Sequence, residues 1–240
     1  MGIEVFCKTD KGLRRESNQD AFLVNQDLGL YIVADGMGGH SGGEVASTIA
    51  VESIEDVIAH PPKENLSPRD LMTHAYAEAS RRIYDKAAFE MPELVGMGTT
   101  MVLIRQYRNS FFICNVGDSR CYLFRKPYLW QITEDHSLVN EQLRAGLIDD
   151  DQAKNFVGRN VITRSVGYER EVMVDVFERP LTAGDVFLLC SDGLSGLVSD
   201  DKIAEILNTT PLQDMPAVCV QKALANGGTD NVTVLVLAVS

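Results

Sequence analysis

Hydrophobic positions along this chain follow two periods, and the change between them divides it into helical and extended runs. After an opening strand or two, Val45, Ile49, Ile54, Val57 and Ile58 recur at the spacing of one helix face. That spacing predicts a helix beginning near Glu44. The stretch SPRDLMTHAYAEASRRIYDKAAFE predicts a second helix, with Ser67 as its cap, Pro68 in first position and Asp70 as the acid of a capping box. The period then shortens. TTMVLIRQYRNSFFICNVGDSRCYLFRK reads as three strands joined by tight turns at Arg108-Asn109 and Gly117-Asp118, an antiparallel meander. A polar, helical and loop-rich excursion follows from about Glu134 to Asn160.

Strands resume at VMVDVFE and DVFLLCSDG, and a helix begins near Ser199. Another is expected at TPLQ, with Thr210 capping, Pro211 first and Gln213 closing the box. NVTVLVLAV ends the chain as a continuous apolar strand buried on both faces. Hairpins near the middle and paired helices give an α+β class, with helices covering antiparallel sheets. No linker, charge block or repeat divides residues 1–240, so a single domain is expected.

Composition narrows the function classes. At 45% hydrophobic and 23% charged residues, the chain has the make-up of a globular protein. No apolar run approaches the ~20 residues of a membrane helix, and MGIEVFCKTDKG lacks the pattern of a signal peptide. Five scattered cysteines (Cys7, Cys114, Cys121, Cys190 and Cys219) form no CxxC pair and suit a reducing cytoplasm. A net charge of -12 argues against nucleic acid as a partner. It says nothing against small cations.

The candidate chemistry lies in aspartates at strand ends. Asp35 follows LYIVA, Asp118 follows FFICNVG, Asp192 follows VFLLCS, Asp230 precedes the last strand, and Asp20 opens an early one. Singly each is ordinary turn chemistry. Together they set several carboxylates at the ends of buried runs. If they converge, each like-charged pair at ~4 Å costs about 4 kcal/mol at an effective dielectric near 20, unless protons or cations neutralise it. Oxygen donors without His or Cys suit Mg2+ or Mn2+, not Zn2+. Two ions sharing a carboxylate would activate a water between them, the arrangement of a hydrolase. Arg14 or Arg15, just before Asp20, offers a guanidinium for a phosphate. Gly36, Gly38, Gly39, Gly42 and Gly43 after Asp35 imply close backbone approach, but no GK[ST] follows to make a Walker cradle.

RRESNQDAF, VADGMGGHSGGE, GTTMV, NVGDSRCYL, DHSLV, RNVITRSVG, SDGL and GTDNVTVLV occur in the order found in the PP2C (PPM) family of metal-dependent protein Ser/Thr phosphatases. The resemblance covers essentially the whole chain and is closest to the compact bacterial branch. It implies a four-layer α-β-β-α sandwich, two antiparallel sheets flanked by helix pairs, with a flap at about residues 145–168. It implies hydrolysis of phosphoserine and phosphothreonine on proteins by a metal-bridging water, in opposition to a Ser/Thr kinase. Asp35 matches the bridging ligand of two core Mn2+ or Mg2+ ions, and Gly36 the residue offering a carbonyl. Asp192 and Asp230 match ligands of the other ion, and Asp20 an acid acting through bound water. Asp118 matches the ligand of a third, weaker ion that shares Asp192, and Arg15 matches the phosphate-binding arginine.

His40 resembles the histidine that serves as general acid, and a loop-stabilising role fits its place too. Two departures stand out. Gln19 occupies a position often acidic, and Phe156-Val157-Gly158 replaces a His-Pro pair in the flap. Gln19 can still accept a hydrogen bond but carries no charge, and the flap departure bears on substrate contacts, not on the metal centre. The rival from another class is a phosphoprotein-binding module without turnover, against which intact Asp35, Asp192 and Asp230 speak.

Overall fold

The computed structural model describes residues 2–62, 65–158 and 160–240; the side chains of His40, Ser41, Asp150 and Lys154 also lie outside the described set. The strands are β1 (Ile3–Asp10), β2 (Asp20–Asn25), β3 (Leu30–Met37), β4 (Gly98–Thr99), β5 (Met101–Tyr107), β6 (Ser110–Val116), β7 (Arg120–Arg125), β8 (Tyr128–Gln131), β9 (Asp175–Pro180), β10 (Val186–Cys190) and β11 (Val232–Val239). The helices are α1 (Gly39–Ala59), α2 (Pro68–Asp85), α3 (Leu138–Arg144), α4 (Asp150–Lys154), α5 (Asp192–Ser195), α6 (Asp200–Thr209) and α7 (Met215–Ala225).

The strands form two antiparallel sheets, one ordered β1-β11-β10-β7-β8 and the other β2-β3-β5-β6-β9, with β4 added beside β3. Three cores explain why the strands read as unbroken apolar runs. Tyr31, Val33, Ile104 and Ile113 of one sheet face Leu123, Phe187, Leu189, Leu235 and Leu237 of the other. The alternate residues of β3, Leu30, Ile32 and Ala34, turn instead towards α1 and α2 through Ala46, Ile54, Tyr76 and Ile83. Leu188, Val234 and Val236 do the same towards α6 and α7. Successive side chains on a strand point to opposite faces, so a strand between two apolar layers has no polar face to show. The result is the expected α-β-β-α sandwich.

Ser67 caps α2 as expected, accepting from the Asp70 amide at 3.1 Å. Four local expectations are corrected. First, α1 begins at Gly39 rather than near Glu44, because the glycines that weaken helix propensity are here packed backbone to backbone. A Cβ on Gly36 would collide with the Gly43 carbonyl, and one on Gly43 would lie 2.6 Å from the Gly36 oxygen. Second, the meander breaks after β6. β6 pairs with β5 and β9, whereas β7 pairs with β8 and β10 in the other sheet, so the Gly117-Asp118 turn crosses between layers. Third, Thr210 closes α6, its amide donating to the Ile206 carbonyl, and α7 starts only at Met215 after a short 3-10 turn. β9 also starts at Asp175, later than the apolar run VMVDVFE suggests.

Among the described residues no helix is long and apolar enough to cross a membrane.

Candidate active site

Strand register brings the acids together. Asp20 of β2 sits directly opposite Asp35 of β3. Asp192 follows β10, and Asp230 precedes β11, the strand beside it. Asp118 lies in the crossing between sheets. A cleft of about 530 Å³ results, lined by Asp35, Asp118, Asp192 and Asp230 with Arg14 and Arg15 at its edge and Gly36 in its wall. Asp20 does not line the cleft. It lies behind Asp35, its Oδ2 accepting from Ser191 Oγ at 2.8 Å and Thr233 Oγ1 at 2.6 Å.

Backbone bonds fix the acids in place. The Asp35 carbonyl accepts from the Thr100 amide at 2.9 Å and from Thr99 Oγ1 at 2.8 Å. Its amide donates to Thr100 Oγ1 at 3.2 Å, and that hydroxyl is bonded in turn to Ser119 Oγ at 2.7 Å. Asn231, fully enclosed, organises the opposite wall. Its Oδ1 accepts from the Gln19 amide at 2.8 Å, and its Nδ2 donates to the Lys11 and Ser17 carbonyls, both at 2.9 Å. The loop carrying Arg15 is thereby pinned beside Asp230. Gly193 must lack a side chain, because a Cβ there would strike the Asn231 carbonyl. Gln19 gains a reason as well. Its Nε2 donates to the Gly39 carbonyl at 2.9 Å, a bond no carboxylate could make.

The electrostatics are unbalanced. Burial first, and then the neighbouring acids, push Asp35 well above the ordinary carboxylate range. Burial likewise raises Asp20 to about 7, against the pull of its Thr233 and Ser191 hydrogen bonds, and raises Asp118 to about 7. Asp192 is raised by burial and by Asp230. Carboxylates gathered in one buried cluster hold together only when protons or cations neutralise them. Two buried oxygens of the cluster, Asp20 Oδ1 and Asp192 Oδ1, have no partner within the protein. Such oxygens cost free energy unless something satisfies them.

These features fit hard divalent cations. Among the described residues no three acid, His or Cys side chains close on one point by themselves. An ion here would therefore take further oxygens from backbone and water, as Mg2+ and Mn2+ commonly do. One cation of the protein is already engaged: Arg15 Nη2 donates to Asp230 Oδ2 at 2.6 Å, while half its side chain remains exposed at the cleft. The Asp230 hydrogen bond, above all, raises the Arg15 pKa and keeps the guanidinium charged.

Comparison with known proteins decides the family. The protein phosphatase 2C family model matches residues 13–226. The chain belongs to the protein phosphatase 2C family. It is 40% identical over 237 residues to the serine/threonine phosphatase stp of Listeria monocytogenes, covering 96% of this chain and 93% of that one. To the protein phosphatase PhpP of Streptococcus pneumoniae it is 33% identical over 243 residues, covering 99% and 98%. The crystal structure of the Mycobacterium tuberculosis serine/threonine phosphatase PstP/Ppp superposes with a TM-score of 0.90 at 34% identity, over 99% of both chains. A structure of the PstP catalytic domain in complex with two manganese ions gives 0.87 at 34% identity and the same coverage. The fold and the metal dependence of the family thus agree with the cleft.

Of the sequence-predicted residues, Arg15, Asp35, Gly36, Asp118, Asp192 and Asp230 share the cleft and Asp20 backs it. The side chain of His40 is outside the described residues, so its two readings are not distinguished. Thr99, Thr100, Asn231 and His136 were not singled out from the sequence. Their signals were in view, as polar residues inside GTTMV, GTDNV and DHSLV that are buried in the structure.

Proposed function

We propose that this chain, as a metal-dependent serine/threonine phosphatase of the protein phosphatase 2C family, hydrolyses phosphoserine and phosphothreonine in a two-ion site built on Asp35. Asp35 would bridge the ions, with the Gly36 carbonyl, Asp192 and Asp230 completing the direct protein ligands and Asp20 acting through water. When bound, the ions supply a water of lowered pKa for attack on phosphorus and offset the negative charge of the transition state. Arg15 would orient the phosphoryl oxygens through its planar fork, leaving Asp230 for the substrate as needed. Asp118 with Asp192 would hold a third, weaker ion, and either Mg2+ or Mn2+ satisfies an all-oxygen set.

A larger cavity of about 870 Å³ adjoins the cleft through Met37, Asn160 and Ile162, and is walled by Tyr168, Glu171 and Met173. It extends the site beyond a phosphate, which favours polypeptide substrates over small phosphomonoesters. We also assign the segment at about 145–168 as a flap on a single catalytic domain, acting in the cytoplasm on proteins phosphorylated by a Ser/Thr kinase. The observation that carries this reading is the convergence of five buried or half-buried carboxylates beside the half-exposed guanidinium of Arg15. Phosphate release from a phosphothreonine peptide tests it. Turnover is expected with Mn2+ or Mg2+ and absent with EDTA; turnover that survives thorough chelation would overturn the reading.

A further inference from the structure

Asp118 is carried by a weak-looking turn. Residues 117–119 cross from β6 in one sheet to β7 in the other, and Gly117 has a φ of 103°. Gly117 can carry no side chain of its own, since a Cβ there would lie 2.6 Å from Thr100 Cγ2. Both backbone groups of Gly117 bond to one residue, His136, and Asn115 Nδ2 adds a second bond to the carbonyl at 3.2 Å. The Gly117 amide donates to His136 Nδ1 at 3.0 Å, and its carbonyl accepts from the His136 amide at 3.0 Å.

An amide can only donate, so Nδ1 is the acceptor and the ring proton sits on Nε2. That nitrogen faces Asp175 Oδ2 at 3.1 Å. Arg164 Nη1 stands 3.2 Å from Asp175 Oδ1 and 3.3 Å from Nε2, so ring and guanidinium converge on one carboxylate. The His136 carbonyl accepts from the Thr163 amide at 2.9 Å. Thus a single residue, 7% exposed, joins the Asp118 turn to β9 and to the segment whose Asn160 and Ile162 line the cleft.

We infer that His136 is a positioning residue: its unprotonated Nδ1 holds Gly117, and through it sets Asp118 and couples that acid to the Thr163-Arg164 segment. This rests on reading Asp118 as a metal ligand. Burial disfavours the charged imidazole and so supports the neutral ring, Arg164 acting in the same direction while Asp175 and then Asp135 oppose it. A protonated ring would turn Nδ1 into a second donor facing the Gly117 amide.

Two substitutions separate this role from simple core filling. His136→Asn keeps an oxygen near the Nδ1 position and loses Asp175; His136→Gln reaches Asp175 and loses the acceptor for Gly117. Amide hydrogen exchange is measured by NMR on the metal-free protein, and Mn2+ binding by calorimetry. His136→Gln is expected to speed Gly117 exchange by ~10-fold or more and to weaken the weakest Mn2+ step by about 10-fold. His136→Asn is expected to stay within about threefold of wild type on both readouts, however much it lowers the melting temperature. Equal behaviour of the two variants, or wild-type exchange at Gly117 in His136→Gln, would overturn the inference. If either fails to fold, Asp175→Ala removes the acceptor that keeps the ring proton on Nε2. It is expected to speed Gly117 exchange by ~5-fold or more, and unchanged exchange contradicts the role. A wild type that binds Mn2+ but releases no phosphate would count against the proposed function and leave this inference standing on exchange and calorimetry.

Discussion

On the outer face of α2, acids and arginines are matched. Arg81 grips Glu78 at 2.8 Å and Asp85 at 2.9 Å, Arg82 reaches Glu78 at 2.7 Å and Asp56 of α1 at 2.8 Å, and Arg170 adds a contact to Asp85 at 3.1 Å. Hydrogen bonding to Arg81 pulls Glu78 down to about 2. In and behind the cleft, Asp230 alone of five acids is ion-paired among the described residues, and Asp20 and Asp118 rise to about 7. The same functional group is stabilised as an anion in one place and penalised in the other. Matched charge on an exposed face contributes little to stability and does no chemistry. Unmatched, buried charge costs stability and is kept where a cation and a substrate complete it.

This contrast can be broken most severely at Asp35. Asp35→Asn is expected to lower phosphate release on the order of 10^3-fold, while raising the melting temperature of the EDTA-treated protein by several degrees, about 1–3 kcal/mol. An equal loss of activity and of metal-free stability would mean that Asp35 is structural. Arg15→Lys keeps the charge but not the fork; kcat/KM for a phosphothreonine peptide should fall about 10- to 100-fold in steady-state assays.

The pH dependence of metal-free stability follows from the raised acids. Asp20 and Asp118 hold protons in the folded state that an unfolded chain has already released between about pH 4 and 7. Their contribution is complete below the unfolded pKa and is lost as pH rises through the folded one. The melting temperature with EDTA should therefore drop by roughly 5–10 °C from pH 5 to pH 8, and Mn2+ should restore it at the upper end. Glu78 has the opposite sign, its contribution being lost as pH falls towards about 2. Glu78→Gln is accordingly the smallest effect: about 0.5–1 kcal/mol at low salt, vanishing at high salt, with kcat/KM unchanged.

Much of this contrast was legible in the sequence. Aspartates after buried apolar runs announced the cleft, because a strand end both buries and aims the residue that follows it. The all-oxygen donor set announced the class of ion. Sheet membership was not legible: nothing in FICNVGDSRCYL says that the chain changes sheets at Gly117, since a tight hairpin and a crossing use the same glycine. The early start of α1 was hidden for a related reason. Gly42 and Gly43 lower helix propensity, and only contact with Gly36 and Met97 across space accounts for their place in a helix. The polar clamps were also silent. Thr99, Thr100 and Asn231 act through bonds to backbone atoms far away in sequence, and no local pattern encodes those partners.

A divalent ion bound in the cleft is expected to neutralise its excess of carboxylate charge. Calorimetric titration of Mn2+ into metal-free protein at pH 6.5, in two buffers of different ionisation enthalpy, tests it most directly. Tight binding with release of about one proton per chain or more is predicted, as is loss of the tightest step in Asp35→Asn. Binding without proton release, or equal affinity in wild type and Asp35→Asn, would contradict it.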